Sequence, residues 1–295
     1  MKGRGPSAAE AGGTLPGAPL PAAVLPLLRT ERLGRVLHHC RRTGSTNRDL
    51  ERLAAAGAPE GTVVVAETQD AGRGRLSRGW FSPPGGLYFS LLLRPAVEPA
   101  RAAGLTPAAG LAVAEALEGF LPGLRAMVKW PNDILVGGRK VCGILCELQA
   151  EAGRIPHIIV GIGINVGLTP EEMPAELRAT ATSLRIACGA EVDRAALLAE
   201  VLLRLEDRYR VWLRDGLRSL LGALGERDAL RGRLIEVERP AGVVRGRADG
   251  MAADGALRLL TAAGRLELIC SGDARLRKTA AGGGEGTACP GRRKA

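Results

Sequence analysis

The residues able to do chemistry gather in two short stretches. The first, 67–80, reads Glu-Thr-Gln-Asp-Ala-Gly-Arg-Gly-Arg-Leu-Ser-Arg-Gly-Trp. Arg73, Arg75 and Arg78 alternate with Gly72, Gly74 and Gly79, and Trp80 closes the run. Glycines let a backbone approach an anion closely, and guanidinium forks match phosphate or carboxylate oxygens bidentately. The run follows Thr62–Ala66, which reads as a buried strand, so a flexible cationic loop hangs from a rigid support. Arg-Gly tracts also occur where disordered proteins bind single-stranded nucleic acid. The second stretch is Lys129-Trp130-Pro131-Asn132-Asp133, followed by Gly137-Gly138-Arg139-Lys140-Val141-Cys142-Gly143-Ile144-Leu145. Its Pro-Asn-Asp is also common turn chemistry.

Together the two stretches resemble biotin protein ligases, which make biotinyl-adenylate and pass biotin to a carrier-protein lysine. The resemblance covers about residues 36–277 and is strongest over 43–166. It implies an α+β fold: a mixed β-sheet with flanking helices, related to class II aminoacyl-tRNA synthetases and lipoate ligases, then a small C-terminal SH3-like β-barrel. It also implies ATP and biotin as substrates, Mg²⁺, and a biotin carboxyl carrier protein or domain as partner.

Residue roles carry over where the motifs match. Ser45, Thr46 and Asn47 match a Ser-Thr-Asn motif that holds the ureido ring of biotin. A urea offers one acceptor and two donors, which short polar side chains at a helix start can meet; the same residues also read as a plain helix cap. Gln69 matches a biotin contact, and Arg73, Gly74 and Arg75 the core of the adenylate loop. That loop is expected to be mobile when empty and ordered over the intermediate. Many members carry a third glycine where this chain has Ser77, which costs loop freedom and leaves Arg78 in register. Trp80 matches a tryptophan near the adenine, and Asn132 and Asn165 nucleotide contacts. Asp133 is the Mg²⁺-linked carboxylate of the match; magnesium takes one or two carboxylates plus phosphate oxygens. Lys140 matches the lysine that meets the biotin carboxylate and acyl phosphate, and Gly143 a glycine lining the biotin pocket. Arg75 and Lys140 are thus the expected catalytic pair. Gly161-x-Gly163 does not complete a dinucleotide fingerprint.

Several elements must position these residues. Thr46 can cap a helix that carries Leu50, Leu53 and Ala54 on one face and stops at Gly57. Leu87–Arg94 reads as a strand. Thr106 and Pro107 open a helix running to about Phe120. Ala126–Lys129 reads as a strand, and Ile134–Val136 with Lys140–Glu147 as a hairpin around Gly137-Gly138. Ile155–Val166 is a long strand. Asp193 opens a helix with an apolar stripe of Leu197, Leu198, Val201, Leu202, Leu205, Tyr209 and Trp212. After Arg231 short strands at 234–237, 242–248, 257–260 and 265–269 read as a small barrel. The division expected is a disordered tail over 1–30, a catalytic domain over 31–230, a barrel over 231–277 and a disordered tail over 278–295.

Composition bounds the rest. With 295 residues, 46% of them hydrophobic and 3% aromatic, the core must be aliphatic. The net charge is +10. Lys2, Arg4 and Arg29 against Glu10 give the first thirty residues +2, and Lys278, Arg292, Arg293 and Lys294 against Glu285 give the last eighteen +3. Half the excess therefore lies in the tails, which weakens a nucleic-acid reading. Six cysteines without a Cys-x-x-Cys pair, and three histidines, argue against a zinc site and for free thiols in a reducing cytoplasm. No apolar run reaches membrane-spanning length. The N-terminal stretch leaves no room for the DNA-binding domain that some ligases carry, so no DNA partner is expected. Monomers and homodimers both occur in the family. Three other readings use the same residues: a lipoate or octanoyl ligase, a nucleic-acid-binding regulator, and a binding module without activity.

Overall fold

Apolar residues at period two build the centre of the molecule. The computed structural model describes residues 20–148 and 155–276. Its first elements are α1 (Leu20–Val24), β1 (Leu37–Thr43), α2 (Thr46–Ala55), β2 (Val63–Gln69), β3 (Leu87–Leu93), α3 (Pro99–Ala102) and α4 (Leu105–Phe120). Then follow β4 (Ala126–Lys129), β5 (Asp133–Val136), β6 (Arg139–Leu148), β7 (Ile158–Ile164), α5 (Leu184–Cys188), α6 (Arg194–Asp215) and α7 (Leu221–Glu226). Seven strands form one mixed sheet in the order β1-β2-β3-β7-β6-β5-β4. Only β1 and β2 run parallel; the other neighbours are antiparallel.

Strand side chains alternate between faces, and here the two faces have different jobs. Ile158, Val160, Ile162 and Ile164 of β7 join Leu87, Phe89, Leu91 and Leu93 of β3 in the main core, together with α4 and α6. On the other face Val64, Leu92 and Ile159 pack under Leu50 and Ala54 of α2. Beyond α2 that face carries Gly161, Gly163 and Gly143 instead of large side chains, which leaves a trough. Asp193 starts α6 by accepting from Ala195 N at 2.8 Å and Ala196 N at 3.2 Å, a cap worth about 1 kcal/mol. All seven residues of the expected apolar stripe of α6 are buried.

The C-terminal unit contains β8 (Leu234–Arg239), β9 (Gly242–Met251), β10 (Leu257–Thr261), β11 (Leu266–Ile269) and β12 (Asp273–Leu276). They form an antiparallel sheet, β11-β10-β9-β8-β12, with no β11–β12 pairing among the described residues. Trp130 plugs into its core beside Ile235, Val237 and Leu259 and donates Nε1 to Gly255 O at 3.1 Å. The two sheets are thereby pinned together at the strand end that carries Asp133.

Four expectations change. The stretch 20–30 is structured: Leu20, Val24 and Leu28, spaced four apart, are buried in the main core. Buried Glu206 also accepts from the backbone N–H groups of Glu31 and Arg32. Ala and Pro richness hid that stripe; residues 1–19 and 277–295, with Cys289, lie outside the described residues. Ser45, not Thr46, is the α2 cap residue, and its side chain makes no cap bond. α4 begins at Leu105 behind Gly104, so Thr106 is inside the helix. Strand β12 was not anticipated, because Asp273-Ala-Arg-Leu is too short and polar to read as one.

Candidate active site

The trough floor is built from rows of opposed residues across the sheet. One row runs Leu145–Gly161–Ser90, and a second runs Asp133–Gly143–Gly163. A Cβ on Gly161 would collide with the Asn47 amide, and one on Gly163 with the Trp80 indole. A Cβ on Gly143 would lie 2.7 Å from the Trp80 ring. Each glycine is the space that one site side chain occupies.

Over the first row stands a closed hydrogen-bond network. Ser90 Oγ lies 2.7 Å from Thr46 Oγ1 and donates to Asn47 Oδ1 at 2.5 Å. Asn47 Nδ2 donates to Glu147 Oε2 at 2.7 Å. Gln69 Oε1 accepts from Thr46 N at 2.9 Å, while its Nε2 donates to Ser82 Oγ at 2.9 Å. Ser45, Thr46 and Asn47 are all buried. Fixed orientations of this kind suit recognition of a small polar ring, because the donors and acceptors are set before the ligand arrives.

The cationic loop closes over this network as a small hairpin. Gly74 N donates to Arg78 O and Trp80 N to Gly72 O, both at 2.8 Å. Leu76 and Ser77 sit at its tip with φ of 55° and 59°, a region that disfavours side chains. Arg73 grips Glu147 with two nitrogens, at 2.8 and 3.2 Å. Arg75 Nη1 donates to Gly272 O at 3.1 Å, and Arg78 pairs with Asp273 at 2.9 Å. The loop is thus fastened to the C-terminal unit. Burial holds the Arg75 guanidinium below the usual arginine range, against the pull of Asp273 and Asp133. Burial pushes the Asp273 carboxyl up, but the Arg78 hydrogen bond and the charges of Arg78, Lys129 and Arg275 bring it below the usual carboxylate range.

Two cavities result. The smaller, about 130 Å³, is lined by Ser45, Thr46, Asn47, Gln69, Arg73, Gly74, Arg75, Arg78, Trp80, Asn132, Asp133, Lys140 and Gly143, so thirteen of the fourteen expected site residues meet there. The larger, about 450 Å³, takes in the fourteenth, Asn165, and shares Trp80, Asp133 and Lys140 with the first. Phe81, Leu135, Met173 and Leu177 make much of its wall apolar. Of these two cavities, Arg75, Arg78 and Asn132, expected at the nucleotide, line the smaller; Arg75 also borders a third, of about 310 Å³, beside Trp130 and Pro131. Asn132 Nδ2 donates to Ile144 O at 2.9 Å and so clamps β6. Asn165 is buried and donates to Thr182 O at 3.0 Å.

The shared wall is the reactive part. Lys140 Nζ is 2.5 Å from Asp133 Oδ1 and 5.1 Å from the Trp80 ring centroid. That ion contact lacks hydrogen-bond alignment: Asp133 Oδ1 is buried and accepts no hydrogen bond, and Trp80 Nε1 is buried without an acceptor. Buried orphans cost stability unless a ligand meets them. Among the described residues no three His, Cys, Asp or Glu side chains form a metal-binding group. A lone carboxylate that borders a phosphate-sized space fits magnesium, which takes its other ligands from phosphate and water. The neighbouring Cys142 thiol is pushed far up by burial and is inert.

Glu147, Ser90, Ser82 and Asp273 escaped the sequence reading. Gly161-x-Gly163 was the available signal: two glycines at period two in an apolar strand open one face only.

The model of the biotin/lipoate A/B protein ligase family matches residues 39–165, and that of the biotin protein ligase C terminal domain matches 232–277. The bifunctional ligase/repressor BirA of Bacillus subtilis is 40% identical over 255 residues, 84% of this chain and 76% of that protein. The biotin–[acetyl-CoA-carboxylase] ligase of Mycobacterium tuberculosis is 37% identical over 237 residues, covering 78% and 85%. Among solved structures, biotin protein ligase from Aquifex aeolicus in complex with biotin and ATP superposes with a TM-score of 0.71 at 33% identity, covering 83% of this chain and 100% of that one. The chain belongs to the biotin/lipoate A/B protein ligase family.

Proposed function

We propose that the protein is a biotin protein ligase that acts through biotinyl-5′-AMP. The carrying observation is the wall of Trp80, Asp133 and Lys140 shared by the two cavities. A ligand tail in the smaller cavity would meet a nucleotide in the larger one at that wall. The polar end formed by Thr46, Asn47, Gln69 and Ser90 favours a urea over a dithiolane, which offers no N–H donors, so biotin is preferred to lipoate.

In the first step a biotin carboxylate oxygen attacks the α-phosphorus of ATP. The bond to the β-phosphate oxygen breaks, and pyrophosphate leaves with the electron pair. Lys140 holds the carboxylate and offsets charge as it crowds at phosphorus, while Arg75 flanks the same point. Asp133 would hold Mg²⁺, which when bound supplies Lewis-acid charge to the phosphate oxygens. The loop, tied down through Arg73, Arg75 and Arg78, keeps water from the mixed anhydride. In the second step a neutral lysine amine of a biotin carboxyl carrier domain attacks the acyl carbon, the acyl–oxygen bond breaks, and AMP leaves. The work is positioning and electrostatics, with no covalent enzyme intermediate.

Residues 31–230 would supply both cavities, and 231–277 the plate on which the loop rests. Among the described residues no helix is long and apolar enough to cross a membrane. The five described cysteines are free, which fits a reducing cytoplasm. The test is transfer: purified protein, Mg-ATP, biotin and a biotin carboxyl carrier domain are mixed, and the carrier is analysed by mass spectrometry. One biotin on one carrier lysine, dependent on ATP, is expected. An unmodified carrier with folded enzyme would remove the reading.

A further inference from the structure

The third cavity lies in the seam between the α3–α4 junction and the C-terminal unit. Ala100, Ala103 and Thr106 stand on one side of it, and Asp254 and Gly255 of the β9–β10 turn on the other. The two units come close there: a Cβ on Gly255 would lie 3.2 Å from Ala103 O. The cavity shares Arg75, Ile144 and Leu145 with the smaller one and no lining residue with the larger one. It therefore reaches the smaller cavity from the side away from the nucleotide.

Its charged lining residues are Arg75 and Asp254, and they differ in position. Asp254 is exposed, at the rim with Ala100 and Ala103. It accepts from Ala256 N at 2.9 Å and makes no ion pair among the described residues. Arg75 is half-buried where the third cavity meets the smaller one, and donates to Gly272 O at 3.1 Å. Between these two charges the lining is largely apolar, with Pro107, Trp130, Pro131 and Leu145. A passage results with a carboxylate at its mouth, apolar walls and a guanidinium at its inner end.

We propose that this cavity admits the acceptor lysine of the carrier domain to the acyl carbon, with Asp254 receiving its ammonium at the mouth. The inference rests on the ligase reading. With biotinyl-5′-AMP bound, biotin fills the smaller cavity under the loop and AMP the larger one. The nitrogen must approach with its orbitals aligned, from beside the acyl plane rather than along the bond to the leaving phosphate. That excludes the larger cavity as its route, whereas the third adjoins the smaller at Arg75, which flanks the acyl phosphate. A lysine side chain has an apolar stem and a cationic tip, and the apolar walls and the rim carboxylate match both. At the inner end the Arg75 charge disfavours a second cation, so the amine is favoured in its neutral form where it must attack. The ammonium gives one proton to water, and the nitrogen then bonds the acyl carbon. The acyl–oxygen bond breaks with its electron pair on the AMP phosphate, and a second proton leaves to water as the amide forms.

Ala103→Phe, Asp254→Asn and Asp254→Lys are compared with wild type in three assays. These are biotin-dependent pyrophosphate release, biotin transfer to a biotin carboxyl carrier domain from supplied biotinyl-5′-AMP, and transfer from the same intermediate to hydroxylamine. Asparagine keeps the acceptor for Ala256 N and removes the charge, and phenylalanine narrows the mouth. Asp254→Lys is expected to raise KM for the carrier about tenfold, and Asp254→Asn by less. Ala103→Phe should slow transfer to the carrier by about tenfold. Hydroxylamine is small and neutral at pH 7, so its biotinylation by the Asp254 variants should hold within about twofold, as should pyrophosphate release by all three. Unchanged transfer to the carrier in Ala103→Phe and Asp254→Lys would overturn the inference. So would equal losses with carrier and hydroxylamine in the Asp254 variants, since the cavity would then not be reading the lysine. A wild type that releases no pyrophosphate with biotin would remove the ligase reading and this inference with it, whereas the other contrary outcomes remove the inference alone.

Discussion

The two cavities are finished to different degrees. In the smaller one, Thr46, Asn47, Gln69, Ser82, Ser90 and Glu147 are already bonded to one another. At the shared wall, Trp80 Nε1 and Asp133 Oδ1 are buried without hydrogen-bond partners. The difference matches the chemistry each side has to do. A neutral ring is recognised by shape and fixed hydrogen bonds, so its receptor is built in advance. A triphosphate and its cation bring their own charge and ligands, so their receptor is left with groups to be met. The loop belongs to both regions, since it is tied to Glu147 on one side and to Asp273 on the other.

The largest effect is expected at the seam. Lys140→Ala should lower pyrophosphate release by about a hundredfold or more, because it removes a charge from the point of reaction. Initial rates at saturating biotin and ATP check this; a loss confined to KM for one substrate would mean that Lys140 serves one cavity only.

Glu147→Ala should separate the two sides. It frees Asn47 and Arg73 together, so KM for biotin should rise about tenfold, near 1.4 kcal/mol, with KM for ATP held. Steady-state kinetics with each substrate varied in turn give the answer, and an equal rise in both would erase the distinction.

The far end of the loop answers to pH. A lowered carboxyl contributes to the folded contact above its ordinary range and loses that contribution only as pH falls through the lowered value. Because Asp273 is lowered, the Arg78–Asp273 tie should persist as pH falls to about 4, the ordinary aspartate value, and fail below it. Retention of biotinyl-5′-AMP by wild type should therefore be flat from neutral pH down to that point. Asp273→Asn should leak the intermediate several-fold faster throughout that range. Equal retention by the two proteins would show that the tie does not hold the loop.

The smallest effect belongs to the loop tip. Ser77 at φ 59° occupies a conformation in which glycine is preferred. Ser77→Gly should stabilise the protein by at most about 1 kcal/mol, with KM for biotin unchanged. Urea unfolding measures the first and kinetics the second.

The sequence exposed one half of each contact. Arg73, Arg75, Arg78, Asn47 and Lys140 stood out because they occupy local strings with recognisable spacing. Their partners Glu147, Asp273 and Ser90 did not, because each is a single residue on a strand whose neighbours come from far along the chain. Ser90 matters only once β3 lies beside β7, and Asp273 only once the C-terminal sheet is pinned by Trp130. The assignment of Asn132 to the nucleotide failed to anticipate the β6 backbone, which takes its amide. The helices with a clear apolar face, α2 and α6, were legible. The short stretch at Leu20–Leu28 was not, since its burial depends on α6, nearly two hundred residues away.

The central claim is that the smaller cavity takes biotin and presents its carboxylate to ATP. The most direct test is the initial rate of pyrophosphate release from the purified protein with Mg-ATP, measured with biotin, with lipoate and with neither acid. Release with biotin well above the other two is the predicted result. Equal or greater release with lipoate would contradict the polar-ring assignment, and no release with either acid would contradict the account of the shared wall.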